Sequence, residues 1–253
     1  MSAKQLRLAL GAALISATAA SAQYVLSAMA GFIHHTEGEV FLEGKPIAPK
    51  ATDFLHAQEG QRLRTAAGRA ELMLTPGSFV RLGDSSELEM VSAGLLSARV
   101  RLHAGSVLVD LVDVFEEGAI AVEAGNSEVL LLKPGLYRID ERGGAGASVQ
   151  VIRGRARATV ADAKPQGVKG NRELLLVAEA KPEKIGDQES DELRSWSDER
   201  SSALGQQAKA ARKEQLESMD PAERALVEML MRTPNPQPPR STQTTRTSSG
   251  SRP

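Results

Sequence analysis

The chain has 253 residues, 41% hydrophobic and 25% charged, which suits one or two globular domains with a sizeable core. Lys+Arg number 31 against 32 Asp+Glu, so no global basic field exists to hold nucleic acid by counterion release; 3% aromatic residues leave little for base stacking or an aromatic-lined sugar cleft. The absence of cysteine excludes disulfides, thiolate metal sites and cysteine nucleophiles, and fits any redox compartment.

Residues 1–22 read MSAKQLRLALGAALISATAASA. Lys4 and Arg7 form a positive start, Leu8 to Ala19 an apolar stretch, and Ala20-Ser21-Ala22 a small-residue cleavage site, the layout of a secretory signal peptide. The apolar stretch is short of the roughly 20 residues a spanning helix needs, and no second one follows, so the expectation is no transmembrane span after cleavage. An uncleaved N-terminal anchor is the alternative. Without a cysteine at the cleavage point there is no lipid attachment, and the expected location is periplasmic or secreted, in the cell envelope. Residues 23–35 are expected to be a linker.

From about residue 36 to 160 apolar and polar residues alternate between glycine breaks, the pattern of short strands and tight turns. Around Gly105, positions −5, −3, +2 and +4 are Val100, Leu102, Val107 and Val109. Gly135 has Leu130, Leu132, Tyr137 and Ile139 there, and Gly154 has Val149, Val151, Ala156 and Ala158. Gly77 has Leu72, Leu74 and Phe79, then departs with Arg81 where an apolar residue is expected. Gly77, Gly105, Gly135 and Gly154 are thus expected to be structural turn glycines of repeated strand-Gly-strand units, each presenting one apolar face. A hairpin cannot bury such a face alone, so the units must stack into an irregular solenoid-like or sandwich β domain, spanning 36–180.

Beyond Asp162, Pro165, Gly167 and Gly170 mark a loop, Glu173 to Glu179 reads as a last strand, and Pro182 to Gly186 as a linker. Residues 187–232 are rich in Ala, Glu, Gln, Lys and Arg, with Leu193, Trp196 and Leu204 at helical spacing. Two or three helices with coiled-coil character are expected there, broken near Gly205 and Met219. Asp220-Pro221-Ala222-Glu223 is a helix start, followed by the apolar stripe Ala225, Leu226, Met229 and Leu230. The tail 233–253 is rich in Pro, Ser and Thr, carries Arg240, Arg246 and Arg252, and reads as disordered.

Chemistry is sparse. His34-His35 is the most tempting pair, but neighbours on a strand point to opposite faces, and no H-x-H or H-x-x-x-H spacing occurs. The acidic cluster Asp110, Asp113, Glu116 and Glu117 lacks a calcium-loop pattern and reads as a solvated strand end. No G-x-S-x-G elbow, G-x-x-x-x-G-K-S or G-x-G-x-x-G cradle is present. The expectation is therefore no catalytic residue, no metal and no cofactor.

The stretch from Gly38 to Ala158 resembles the FecR-like periplasmic domain family. The likeness rests on "GQRLRTAAGRAELMLTPGSFVRLGDSSELEM", with its alternating strand, Gly-Ser turn, second strand and Gly-Asp-Ser-Ser turn, then on "ARVRLHAGSVLVDL" and "VQVIRGRARAT". Lys133-Pro134-Gly135-Leu136-Tyr137 departs from the family's Gly-Thr before an alternating strand. The resemblance implies a solenoid-like β structure with no catalytic residues. Sigma-factor-regulating members also carry a cytoplasmic helical segment and a transmembrane helix, where this chain has a signal-like segment. The expected function is a non-catalytic binding or scaffold module of the envelope, holding a protein or cell-wall polymer and no nucleic acid. The alternatives are a periplasmic signalling component linked to sigma-factor regulation, and a hydrolase or lyase on a β scaffold.

Overall fold

A computed structural model of the chain describes residues 30–47, 55–94, 96–114, 119–186 and 191–218. The expected signal segment, most of the linker at 23–35, the helix start at Asp220 with its stripe, and the tail lie outside the described residues, as do Glu116 and Glu117. The chain divides into two compact units, Met1–Asp198 and Glu199–Pro253. No described helix is long and apolar enough to cross a membrane.

The first unit is mainly β. Its strands are β1 (Ile33–Leu42), β2 (Lys45–Pro46), β3 (Arg62–Thr75), β4 (Ser78–Leu82), β5 (Glu87–Ala93), β6 (Ala98–Leu111) and β7 (Ile120–Ala124). They continue as β8 (Ser127–Leu131), β9 (Gly135–Glu141), β10 (Ala147–Arg153), β11 (Arg155–Val160), β12 (Gln166–Lys169), β13 (Arg172–Leu175) and β14 (Glu183–Lys184). Helix α1 (Glu192–Ser218) begins in this unit and continues into the second.

The two 14-residue strands organise the rest. The first half of β6 pairs with β5 and, in parallel, with β7; its second half pairs with β4 and β9. One branch runs on from β7 through β8 and β11 to β12, the other from β9 through β10 and β13 to β14. β3 likewise pairs with β5 near its start and with β4 near its end, so β3, β4, β6 and β5 close a ring of four. Val122, Val129 and Ala156 of one branch and Ile139, Val149 and Leu174 of the other share a single core.

How β6 serves both branches is written in its burial. Ala98, Val100 and Leu102 face the core, then Val107, Val109 and Leu111, an even-to-odd change across Gly105. A straight strand would put these two sets on opposite faces. Gly105, at φ +85°, absorbs the change by bending the strand. A β-carbon there would lie 2.2 Å from Ser86 Oγ and 2.6 Å from Ser86 Cα, because the Gly83–Ser86 connection passes beneath the bend.

Of the four glycines expected at hairpin turns, Gly77 alone joins a hairpin, between β3 and β4. Gly105 lies within β6. Gly135 opens β9 opposite Leu111, and β9 does not pair with β8. Gly154 carries the chain from β10 in one branch to β11 in the other. It has φ +103°, and a β-carbon there would lie 2.2 Å from the Tyr137 hydroxyl, which donates to the carbonyls of Lys133 and Arg155. Parity separates Gly105 and Gly154 from Gly77: it flips from Val149 and Val151 to Ala156 and Ala158, but not across the hairpin, where Leu72 and Leu74 are followed by Val80 and Leu82, nor at Gly135, where Val129 and Leu131 are followed by Tyr137 and Ile139. Phe79 is therefore not an inward repeat position, and Leu130 is half-buried where Val129 and Leu131 face the core.

Four segments differ from expectation further on. β12 occupies the expected loop, with Val168 in the core, and β14 lies in the expected linker. The expected strand Glu173–Glu179 pairs only to Leu175, although Leu174 and Leu176 remain buried while Leu175 and Val177 are exposed. Helix α1 runs through Gly205 without a break; one glycine costs only about 1 kcal/mol against alanine, too little to end a helix among Ala, Gln, Lys and Leu.

Candidate functional site

A cross-strand row lies on the outer side of β1, β3, β4, β6, β9, β10 and β13. Registry puts His35 opposite Glu71, Glu71 opposite Arg81, Arg81 opposite Leu108, Leu108 opposite Arg138, and Arg138 opposite Gln150. Side chains of directly opposed residues share a face, so the alternation that sends Val80, Leu82, Val107 and Val109 inward sends these outward. The first turns of α1 lie over this row. Leu193 and Trp196 form a second apolar cluster with Leu108, Leu136 and Ile152.

Arg81 is the centre. Both it and Glu71 are 0% exposed, and the Arg81 Nε donates to Glu71 Oε2 at 2.7 Å. Its Nη1 donates to Ser197 Oγ of α1 at 2.7 Å and to Asp110 Oδ2 at 3.3 Å. The other Glu71 oxygen accepts from His34 Nδ1 at 2.9 Å, and the His34 ring stands 5.4 Å from that of Phe79. Two buried charges are thus matched, which burial demands.

Around this centre the helix start is held by polar contacts. Asp191 is the N-cap, its carboxylate accepting from the Arg194 backbone N–H at 2.9 Å, and it also pairs with Arg138. Arg138 donates to both oxygens of the buried Asp140, whose carboxylate also accepts from the Ser106 hydroxyl. Arg69 reaches Glu192 at 2.8 Å and lies 6.0 Å from the Trp196 ring. The indole N–H of Trp196 donates to Glu37 Oε1 at 2.8 Å, and His35 Nε2 reaches the same oxygen at 3.0 Å.

Charge states follow these neighbours. Burial alone would raise the Glu37 carboxyl, but the Trp196 indole, the His35 ring and Arg69 together hold it below the usual value. Burial likewise opposes ionisation of Asp191, yet the Arg194 N–H and the Arg138 guanidinium hold it low. Arg138, desolvated but facing Asp140 and Asp191, is held more firmly protonated than usual.

A polar cleft of about 260 Å³ opens beside the helix start, lined by residues including Arg69, Ser106, Arg138 and Asp191. A second, of about 380 Å³, lies on the other branch and is lined by Arg101, Glu123, Gly125, Asn126, Ser127, Glu128, Thr159 and Ala161. Its two carboxylates are bound to arginines: Arg99 reaches Glu123 at 3.1 Å and Glu128 at 3.0 Å, and Arg101 reaches Glu123 at 2.6 Å. Nearby, the His103 ring holds the Glu89 carboxyl below its usual range.

No family model matches the chain, and no curated protein matches it. Among solved structures it is similar to two crystal structures of a "putative anti-sigma factor" from Parabacteroides distasonis, at 2.50 Å and 1.65 Å resolution. Identities are 13% and 11% and TM-scores 0.39 and 0.40; in both cases the match covers 50% of this chain and 60% of that one.

The residues singled out by sequence fall in different places. A register shift between Ile33 and His35 brings both histidine rings to the covered face rather than to opposite faces, on different carboxylates. Among the described residues, no group of three or more His, Asp or Glu is placed to hold a metal ion. Asp110 joins the Arg81 centre, while the Asp113 carboxylate accepts from the next backbone N–H, Val114. The four glycines shape the framework and contribute no side chain to the site. Glu71, Arg138 and the Asp191 cap were not anticipated. Their signal was the lone arginine at the third position after a hairpin Gly-Ser, and Ser-Asp just ahead of Glu-Leu, an N-cap pattern.

Proposed function

We propose that the protein is an exported FecR-like β module of the cell envelope that binds a protein partner without catalysing a reaction. One observation carries this reading: the outer face of the β4–β6–β9–β10 strands receives a helix through an apolar floor and matched charges together. Leu108, Leu136 and Ile152 supply the floor, while Arg69, Arg81 and Arg138 supply cations to which the helix answers with Glu192, Ser197 and Asp191. The strongest ion pairs are consumed by structural partners, and the module works by surface rather than by freed nucleophiles or acids. The signal-like segment at 1–22 supports export to the periplasm or beyond.

A photo-crosslinking residue introduced at Arg142, beside the face and 65% exposed in its side chain, tests this in cells. One dominant protein adduct is expected in the envelope fraction. Diffuse labelling, or none above background, would overturn it. N-terminal sequencing of the envelope-extracted protein tests export, with a start at residue 23 expected and a start at residue 1 counting against it.

A second reading, a periplasmic signalling component linked to sigma-factor regulation, is favoured by the same helix. A face occupied from within its own chain supplies one state of a covered–open pair, and signalling requires such a pair. A transcription reporter for envelope stress, compared between wild type and Trp196→Ala, separates this reading from a passive scaffold.

A further inference from the structure

We propose that residues 191–198 are an intramolecular plug on a helix-receiving face, and that the natural partner presents a helix of the same layout to displace it. That layout is a pair of carboxylates at the helix start, Leu and an aromatic residue three positions apart, and a hydroxyl directly after the aromatic. The inference rests on the binding-module reading and deepens it by naming the partner's chemistry.

The plug inserts only two apolar side chains into the face, its other contacts being polar. Leu193, Trp196 and Ser197 are buried, whereas Glu192 is 86% exposed in its side chain and Arg194 pairs with Asp198 of the same helix. A segment that inserts two apolar side chains is held far less firmly than a core strand such as β6, which inserts Leu102, Val107, Val109 and Leu111 among others.

The face is also complete without the plug. If α1 withdraws, Arg81 keeps Glu71 and Asp110 from β3 and β6, and Arg138 keeps Asp140 from its own strand. No buried charge loses its last partner, so the strands have no electrostatic reason to rearrange. What withdrawal uncovers is Leu108, Leu136 and Ile152, rimmed by the guanidiniums of Arg69, Arg81 and Arg138. An apolar strip with a cationic rim selects a helix with an acidic first turn, since those carboxylates also suit the positive end of the helix dipole. The backbone of Gly83 shapes the same spot: a β-carbon there would lie 3.1 Å from Leu193 Cδ2, so the incoming leucine sits directly on main chain.

Trp196 is the sole tryptophan, so its emission reports the plug alone. In urea the full chain is expected to show a red shift of that emission at lower concentration than the loss of the β circular-dichroism signal. Coincident transitions would mean that the helix is part of the core, and would overturn the plug. For the partner, the full-length double variant Leu193→Ala, Trp196→Ala lacks tryptophan, and a synthetic peptide of residues 187–204 supplies its own. Saturable blue-shifted binding to the variant is expected, at least tenfold tighter than to the wild type, where the plug competes at the high effective concentration of a tethered segment. Replacing Asp191 and Glu192 in the peptide by Asn and Gln is expected to weaken binding severalfold. Equal affinity for both chains, or no binding to a variant that keeps the wild-type β signal, would overturn the inference. Dimerisation of the variant without peptide binding would assign the face to a second copy and overturn the partner helix. Peptide binding with no adduct in cells sinks the binding-module reading while leaving the plug standing, so the two failures are distinguishable.

Discussion

Strand β6 carries two arginine–carboxylate neighbourhoods, one at each end, and they are opposite in character. Near its start, Arg99 and Arg101 stand with Glu123 and Glu128 on an open branch, and the two arginine side chains are 35% and 43% exposed. Near its end, the partly exposed Asp110 joins Arg81 and Glu71, both cut off from water beneath a helix. The chemistry of the groups is the same, and the surroundings decide their worth. In water an ion pair gains little because solvent screens it and the long side chains must be held still. In the dry site the pair is chiefly a constraint: each charge is tolerable only while the other is present.

The largest expected effect breaks the dry half of this contrast. Glu71→Ala leaves Arg81 with its nearest counter-charge removed, and a loss of about 3–5 kcal/mol in unfolding free energy is expected by urea titration. A loss under about 1 kcal/mol would show that the pair is no more than a surface contact. Next comes the bend that lets one strand serve both neighbourhoods. Gly105→Ala combines a left-handed φ with contacts inside 3 Å of Ser85 and Ser86, and about 3 kcal/mol is expected to be lost. Gly77→Ala, at φ +80° but with open space around its β-carbon, is expected to lose only about 1–2 kcal/mol, and equal losses at the two positions would refute the distinction between corner and hairpin.

Acid is expected to act on the covered face through the helix start. Glu37 and Asp191 have folded pKa values lowered from 4.5 and 3.8, so the stabilisation they lend is complete above about pH 4.5 and fades as pH falls through the lower folded values. Trp196 emission followed from pH 7 to pH 3 is expected to shift red only in the acid range. A shift already complete above pH 5 would count against these two carboxylates. The smallest effect belongs to the open branch: Glu123→Gln is expected to cost about 0.2–1 kcal/mol and to lose that effect in 1 M salt, whereas the Glu71→Ala loss persists.

Much of the framework was legible. Val100, Leu102, Val107 and Val109 form one apolar face by their spacing about Gly105, and all four are buried in the core. Spacing about a glycine does not name the turn: Gly105 and Gly154 keep the residues two and four beyond them inward, the hairpin at Gly77 those three and five beyond, and only pairing partners far along the chain tell which applies. Aligning Gly77 with the corner glycines placed Phe79 inward and made Arg81 look like a fault in the repeat. Arg81 and Phe79 in fact share the outer face, and the residue that broke the pattern is the centre of the candidate site. The Leu193–Trp196 pair was visible as one helix face. Glu71 was not, since a carboxylate alternating along a strand reads as solvent-facing until a covering element is known.

The ends of the sheet carry a consequence of their own. β2 and β14 are two residues long, Lys45-Pro46 and Glu183-Lys184, and β12 is entered through Pro165 and ends on Lys169. Short, charged and proline-marked borders refuse further strands, because an added chain finds few free amides and meets like charge or a missing donor. At these three borders, growth by lateral strand addition is thereby discouraged. The partner helix proposed above would meet the broad side of the sheet, away from these borders, and would arrive already coiled.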